Sequence, residues 1–403
     1  MEDVDIKVLL DTSARLVSNV EMSHRRYLCP QIDWDDKLIC IKGPKGTGKT
    51  TLMLQHIREV FGARSERAVY VSADHLWFSS HSMLDAVEYF DTHGYTHLFI
   101  DEIHHLPEWS RTVKTIADSY PHLNIAYSGS SILKLSKGHA DLSRRQAVYG
   151  LKGLSFREFL SFEGVMDLPP LRLEDIVVSH REIAGEICEK AKILPLFGKY
   201  LAHGYYPFYR GVRNKFPDRL VDVVNTVLEV DLPAIEDVTM ATIRKTRKML
   251  MVLAGSCPQQ PNMSALYREL ETNRNLGIKM LNMLERAELV LALESATPKL
   301  KRRSSPEKLF LGDTNLMYAL VGSPDPGAVR ETFFANQLVA SVHEAKAPEH
   351  GDFLVDGSLL FEIGGTRKRF MQIRDIPNSF VVSDGIELGI GNRLPLWLFG
   401  MLY

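Results

Sequence analysis

Residues 43–50 read Gly43, Pro44, Lys45, Gly46, Thr47, Gly48, Lys49, Thr50, an unbroken GxxxxGK[ST] string. It stands between a β-type apolar run, Leu38–Ile41, and helical spacing over Thr50–Phe61 (Leu52, Met53, Ile57, Val60). A loop of this composition wraps so that its backbone N–H groups converge on an anion. Gly46 and Gly48 permit the backbone angles, and a helix start near Lys49 adds its dipole. The string therefore demands strand, loop and helix in that order. It marks residues 43–50, with the adjoining Thr51, as candidate triphosphate-binding positions. Lys49 would reach the outer phosphates, and the Thr50 hydroxyl would hold Mg²⁺.

A second string, Leu98, Phe99, Ile100, Asp101, Glu102, ends an apolar strand in two acids. Its position puts Asp101 at the carboxyl edge of a sheet, beside the phosphate loop, as a magnesium residue. Glu102 is then the candidate base for an attacking water. Strand-like Ala68–Ser72 precedes this string, helix-like Ser82–Phe90 and Trp109–Ser119 flank Thr96–Ile100, and Asn124–Tyr127 reads as a fourth strand. Strands alternating with helices indicate a parallel sheet covered on both faces. Ser128, with Ser130 close behind, ends the fourth strand where a polar group would sense a γ-phosphate. Arg144 and Arg145 are candidates for a guanidinium supplied across a subunit boundary, which would make the protein a homo-oligomer. His104 and His105 read as a helix start, and no metal is assigned to them.

At 403 residues the chain exceeds one ordinary core, which implies two to four domains. A net charge of -2 provides no global attraction to nucleic acid or anionic lipid, so such a partner needs a local basic patch. Cys29, Cys40, Cys188 and Cys257 are too scattered for a metal site or a disulfide framework. The acidic start (Glu2, Asp3, Asp5) is unlike a signal peptide, and no apolar run nears the roughly 20 residues of a membrane span. A cytoplasmic protein with no membrane partner is expected.

Past the break at Asp167, Leu168, Pro169 and Pro170, the pattern turns helical. We place an ATPase-type domain at 1–165, a helical connector at 166–238, a third unit at 239–325 and a small α/β domain at 326–403. In the third unit, helical spacing over Thr242–Ala254, Ala265–Leu270 and Leu276–Ala287 precedes two short strands, Leu289–Leu293 and Leu309–Leu311. Three helices and a two-stranded wing form a winged helix-turn-helix pattern, for which double-stranded DNA is the candidate partner. Arg274, Asn275 and Lys279 would face a groove. Lys299, Lys301, Arg302 and Arg303, with Lys308 close behind, would meet phosphates from the wing. Winged helices also serve as protein-binding and packing modules.

In the last domain Asp352 and Glu362 resemble the acids of a metal-dependent endonuclease. Gly364 stands where that pattern carries lysine, and Lys368 is the nearest spatial substitute. An active nuclease is not expected.

Taken together, the phosphate loop, Phe99–His104, Ser128–Ser131 and Gly153–Leu160 resemble a family of bacterial and archaeal AAA-type ATPases. Members carry a C-terminal domain of unknown function with a restriction-endonuclease-like, PD-(D/E)xK-like core. The resemblance implies ATP as the nucleotide and a P-loop parallel-sheet ATPase domain followed by a helical connector, a winged helix and a degenerate nuclease-like α/β domain. Mg-dependent ATP hydrolysis is the leading function. A nucleotide-gated binding switch with negligible turnover and an ATP-controlled nuclease are the alternatives. A DExH helicase is set aside, because nothing after residue 170 offers a second motor domain.

Overall fold

The computed structural model describes residues 3–131, 142, 144–256, 258, 262–297 and 306–403. They form two compact units: Met1–Lys152 with Glu229–Val238, and Gly153–Leu228 with Thr239–Tyr403. The first break thus falls after Lys152, where the sequence suggested 165. The segment that follows is tied into the second unit. Leu154 N–H donates to the Tyr205 carbonyl at 2.7 Å, the Tyr200 hydroxyl to the Leu154 carbonyl at 2.7 Å, and Ser155 Oγ to the Tyr403 carbonyl at 2.6 Å.

The first unit comprises α1 (Asp3–Asn19), β1 (Leu38–Gly43), α2 (Lys49–Val60), β2 (Ala68–Ser72), α3 (Met83–Thr92), β3 (His97–Asp101), α4 (Trp109–Ser119), β4 (Asn124–Ser130) and β5 (Ala147–Gly150). Its five strands are all parallel, in the order β2-β3-β4-β1-β5. The side-chain period of two splits them between two apolar clusters. Leu38, Cys40, Leu98, Ile100, Ile125 and Tyr127 pack with Phe90 and Val113 on one face; Ile39, Ile41, Phe99 and Ala126 pack with Leu52, Met53 and Ile57 of α2 on the other. Fully burying each large apolar side chain contributes about 1.5–3 kcal/mol, which outweighs any local propensity here. Helix α1 contributes to both clusters through Ile6 and Val17, and Ser13 Oγ accepts the Tyr70 N–H of edge strand β2 at 3.0 Å.

Strand β4 lies between β1 and β3, with Gly43 opposite Ser130. The phosphate-loop strand and the acidic strand are therefore separated by the strand carrying Ser128, and all three carboxyl ends share one edge.

The second unit contains α5 (Phe156–Phe162), α6 (Leu173–Lys190), α7 (Ile193–Lys199), α8 (Phe216–Thr226), α9 (Met240–Ser256), α10 (Met263–Glu269), α11 (Arg274–Arg286), β6 (Val290–Leu293), β7 (Lys308–Leu311), α12 (Thr314–Val321) and α13 (Pro326–Ala340). Strands β6 and β7 pair antiparallel. A mixed sheet follows, β12 (Arg393–Pro395), β11 (Ser379–Ser383), β10 (Leu359–Gly364), β9 (Phe353–Val355) and β8 (Ala345–Lys346), in that order. It is packed by buried aromatics including Phe334, Phe353, Phe361 and Phe399. Among the described residues no helix is long and apolar enough to cross a membrane.

Asp313, the N-cap of α12, is buried; it accepts from Leu316 N–H at 2.9 Å and from the Tyr206 hydroxyl at 2.8 Å. Burial pushes its carboxyl up to about 6, against those hydrogen bonds, which pull it down. A folded-state value above the unfolded one means the stabilisation is complete below about pH 4 and is lost as pH rises through 6, to the extent of about 3 kcal/mol. Asp313→Asn should match the parent protein in urea below pH 4 and exceed it by that amount above pH 6. A difference that does not change with pH would refute this.

Candidate active site

The phosphate loop is shaped by two left-handed glycines, Gly46 (φ +87°) and Gly48 (φ +94°), a conformation that disfavours any Cβ. Gly43 is needed for a different reason: a Cβ there would lie 2.1 Å from the Leu151 carbonyl oxygen. Thr47, fully buried, closes the loop by donating Oγ1 to the Pro44 carbonyl at 2.9 Å. The buried Arg26 guanidinium clamps it from outside, donating to the Thr47 carbonyl and, at 2.8 Å, to that of Lys152. Helix α2 starts at Lys49 with Gly48 as its cap, so its first amides open toward the loop. Thr51 is exposed on the first turn.

Lys49 is buried and folds back over the loop, donating to the carbonyls of Gly43 and Pro44 at 2.9 Å each. Burial lowers its ammonium below the usual lysine range, opposed by Glu102, Asp101 and Asp231. A phosphate group would supply the missing counter-charge.

Asp101 is the hub of the edge. Thr50 Oγ1 donates to Oδ2 at 2.5 Å and the Tyr70 hydroxyl to the same oxygen at 2.8 Å; Ser128 Oγ and the Glu102 N–H (3.1 Å) donate to Oδ1. Burial, then the Asp101 charge, raises the Tyr70 phenol, which stays a donor. A threonine hydroxyl and a carboxylate in contact are hard oxygen donors of the kind Mg²⁺ takes from protein, one or two at a time. Thr50 and Asp101 therefore fit that ion.

Glu102 follows the strand end in the left-handed region (φ +48°), a strained conformation for a residue with a Cβ, costing about 1 kcal/mol or more. Its N–H also approaches Ser128 Oγ at 3.3 Å, and its carboxylate remains partly exposed. The structure thus brings Lys49, Thr50, Asp101, Glu102 and Ser128 to one edge, with Ser130 buried one step beyond. Arg144 and Arg145 are exposed, and Arg145 pairs with Asp118 at the end of α4.

Three residues of this edge carried no signal in the sequence: Arg26, Tyr70 and Asp231. Asp231 is 1% exposed and lies 3.1 Å from Lys45 Nζ and 3.6 Å from His104 Nε2. Burial pushes its carboxyl up, but the neighbouring His104 ring and the Lys45 charge together hold it below the usual range. His104, His105 and Asp231 could each offer one metal-ligand atom within 4.8 Å; Lys45 already balances the one acid among them.

In the second unit, Lys368 covers Gly364 and pairs with Glu362 at 2.6 Å. Lys308 does not belong to a phosphate-facing wing as the sequence suggested. Its ammonium sits 3.2 Å from Asp352 and 3.2 Å from Glu331 of α13, because β7 runs beside that acidic pair. Lys299, Lys301, Arg302 and Arg303 lie outside the described residues, as does Cys257. Arg274, Asn275 and Lys279 are exposed along the opening of α11.

Residues 35–160 match a family described as an AAA domain, and residues 194–326 match a domain of unknown function (DUF8612). An uncharacterized protein of Methanocaldococcus jannaschii is 26% identical over 270 residues, 64% of this chain and 56% of that one, so the match spans little more than half the relative. Among solved structures, a RuvB variant of Thermotoga maritima aligns over 81% of this chain and 96% of its own, at 15% identity and a TM-score of 0.33. DnaA of Aquifex aeolicus, bound to AMPPCP, aligns over 71% and 89%, at 18% identity and a TM-score of 0.27. Both superpositions are loose. The domain match and the parallel sheet with its phosphate loop identify residues 35–160 as an AAA-type domain with a P-loop nucleotide-binding fold.

Proposed function

We propose that this AAA-type domain is a magnesium-dependent ATPase that hydrolyses ATP at the edge formed by β1, β3 and β4. One observation carries the proposal: Thr50 Oγ1 and Asp101 Oδ2 meet at 2.5 Å beside the buried Lys49, so hydroxyl, carboxylate and ammonium are assembled at a phosphate loop. Mg²⁺, when bound, shields charge on the phosphate oxygens. Lys49 would exchange its carbonyl partners for phosphate oxygens and neutralise charge in the transition state. Glu102 would take a proton from the attacking water as the new bond to phosphorus forms and the bond to the leaving ADP breaks. Ser128 would hold Asp101 in register and sense the γ-phosphate. A guanidinium from a neighbouring copy, Arg144 or Arg145, would complete the site in a homo-oligomer.

Duplex DNA is the partner we propose for the second unit. Helices α9, α10 and α11 followed by the β6-β7 ribbon have the order of a winged helix, and the exposed Arg274, Asn275 and Lys279 favour a groove-facing role for α11. Cleavage is disfavoured, since Lys308 and Lys368 already neutralise the acids that would hold a metal. A fold retained for binding fits better. Phosphate release from MgATP, followed with and without duplex DNA across salt concentrations, tests both proposals. DNA should accelerate release, and the effect should weaken steeply with salt because phosphate contacts release counterions. No release under any condition would leave only a nucleotide-gated switch. Release indifferent to DNA would remove the DNA partner.

A further inference from the structure

The segment Glu229–Val238 belongs to the first unit, although the residues on either side of it in sequence belong to the second. Leu232 is buried and Ile235 packs on the cluster containing Ile103 and Leu106, which anchors Asp231 at the nucleotide edge. There the His104 ring is wholly buried between two carboxylates. Nε2 faces Asp231 Oδ1 at 3.6 Å, and Nδ1 faces Glu102 Oε2 at 3.5 Å. Neither nitrogen reaches hydrogen-bonding distance of a partner among the described residues. Leaving a buried polar group unsatisfied costs about 1–3 kcal/mol, so a ring with both nitrogens in that state calls for a functional explanation.

We infer that His104 and Asp231 are positioning residues for Glu102, an inference that rests on Glu102 being the base. Asp231 selects the tautomer with the proton on Nε2, which turns the Nδ1 lone pair toward Glu102. A lone pair repels the resting carboxylate, which accounts for the 3.5 Å gap. It becomes a hydrogen-bond acceptor once Glu102 has taken a proton from water: the O–H bond of the water breaks, the O–H bond of the carboxylic acid forms, and that acid donates to Nδ1. On the other side Lys45 Nζ competes with Nε2–H for the same Asp231 oxygen, at 3.1 Å against 3.6 Å. A phosphate that draws Lys45 away frees that oxygen for Nε2–H. Nucleotide arrival and base orientation are thereby linked through one carboxylate.

ATP turnover by the full chain tests this with His104→Phe, His104→Gln and Asp231→Asn, each alone and combined with Glu102→Gln. Phenylalanine keeps the ring and loses both nitrogens; glutamine keeps a donor and an acceptor but loses the ring. The expected result is that His104→Phe lowers kcat about tenfold, the worth of one hydrogen bond, with little change in KM, while His104→Gln retains most of the rate. Asp231→Asn should lower kcat as His104→Phe does, and none of the three should slow Glu102→Gln further, since residues acting through one group do not add. His104→Phe at the parent rate, a slower Gln than Phe variant, or losses that multiply on Glu102→Gln would overturn the inference. Should His104→Phe fail to fold, Asp231→Asn with its double variant decides by the same rule. Glu102→Gln turning over at the parent rate would instead refute the role of Glu102 itself, a separately visible result.

Discussion

Glu102→Gln is expected to bind MgATP as the parent protein does and to hydrolyse it about 10²–10⁴-fold more slowly, the usual worth of a positioned general base. The amide keeps the size of the carboxylate and cannot take a proton from water. The Glu102 backbone, which supplies an N–H to Asp101 at 3.1 Å, is unchanged, so the magnesium residues stay assembled. Single-turnover phosphate release, compared with nucleotide affinity, separates the two effects. A variant that loses affinity and rate together would show that Glu102 holds the nucleotide, and would move the base elsewhere.

Lys49→Ala carries the other large effect, and it falls on binding. Charge-assisted hydrogen bonds contribute about 1.5–3 kcal/mol each, so losing two phosphate contacts should weaken ATP about 10²–10³-fold or more. Unfolding would not be the cause. The ammonium is buried against two carbonyls at 2.9 Å, with its charge disfavoured by burial, so removing it relieves a cost as well as a contact. Competition against a fluorescent nucleotide should show the affinity loss, with a melting temperature within a few degrees of the parent. Parent-like affinity would remove Lys49 from the phosphate site.

What could be read from the sequence was local. The phosphate-loop string is contiguous, and an apolar run ending in two acids needs no knowledge of distant residues. Helix Trp109–Ser119 and strand Phe353–Val355 were readable because their periodicity lies within a few residues. Strand β5 was not, because Ala147–Gly150 is a short sheet edge alternating half-buried and exposed positions. Helix α1 is equally hidden in the sequence; its apolar residues divide between two clusters and make no single stripe. Asp231 was beyond reach for a different reason. Its role depends on a chain return that places it against Lys45 and His104, and nothing in the flanking Val230 and Leu232 announces it. The sequence offers Lys368 near Gly364 only as a spatial substitute, while the pairing of Lys308 with Asp352 and Glu331 depends on how β7 packs in the second unit.

Calorimetric titration of ATP into the full chain, with Mg²⁺ present and then chelated, tests the assembled edge of Lys49, Thr50 and Asp101 most directly. A saturating heat near one nucleotide per chain, weakened without Mg²⁺ and shifted to about 10²–10³-fold lower affinity or beyond in Lys49→Ala, is the predicted result. No heat of association at millimolar protein with Mg²⁺ present would contradict it.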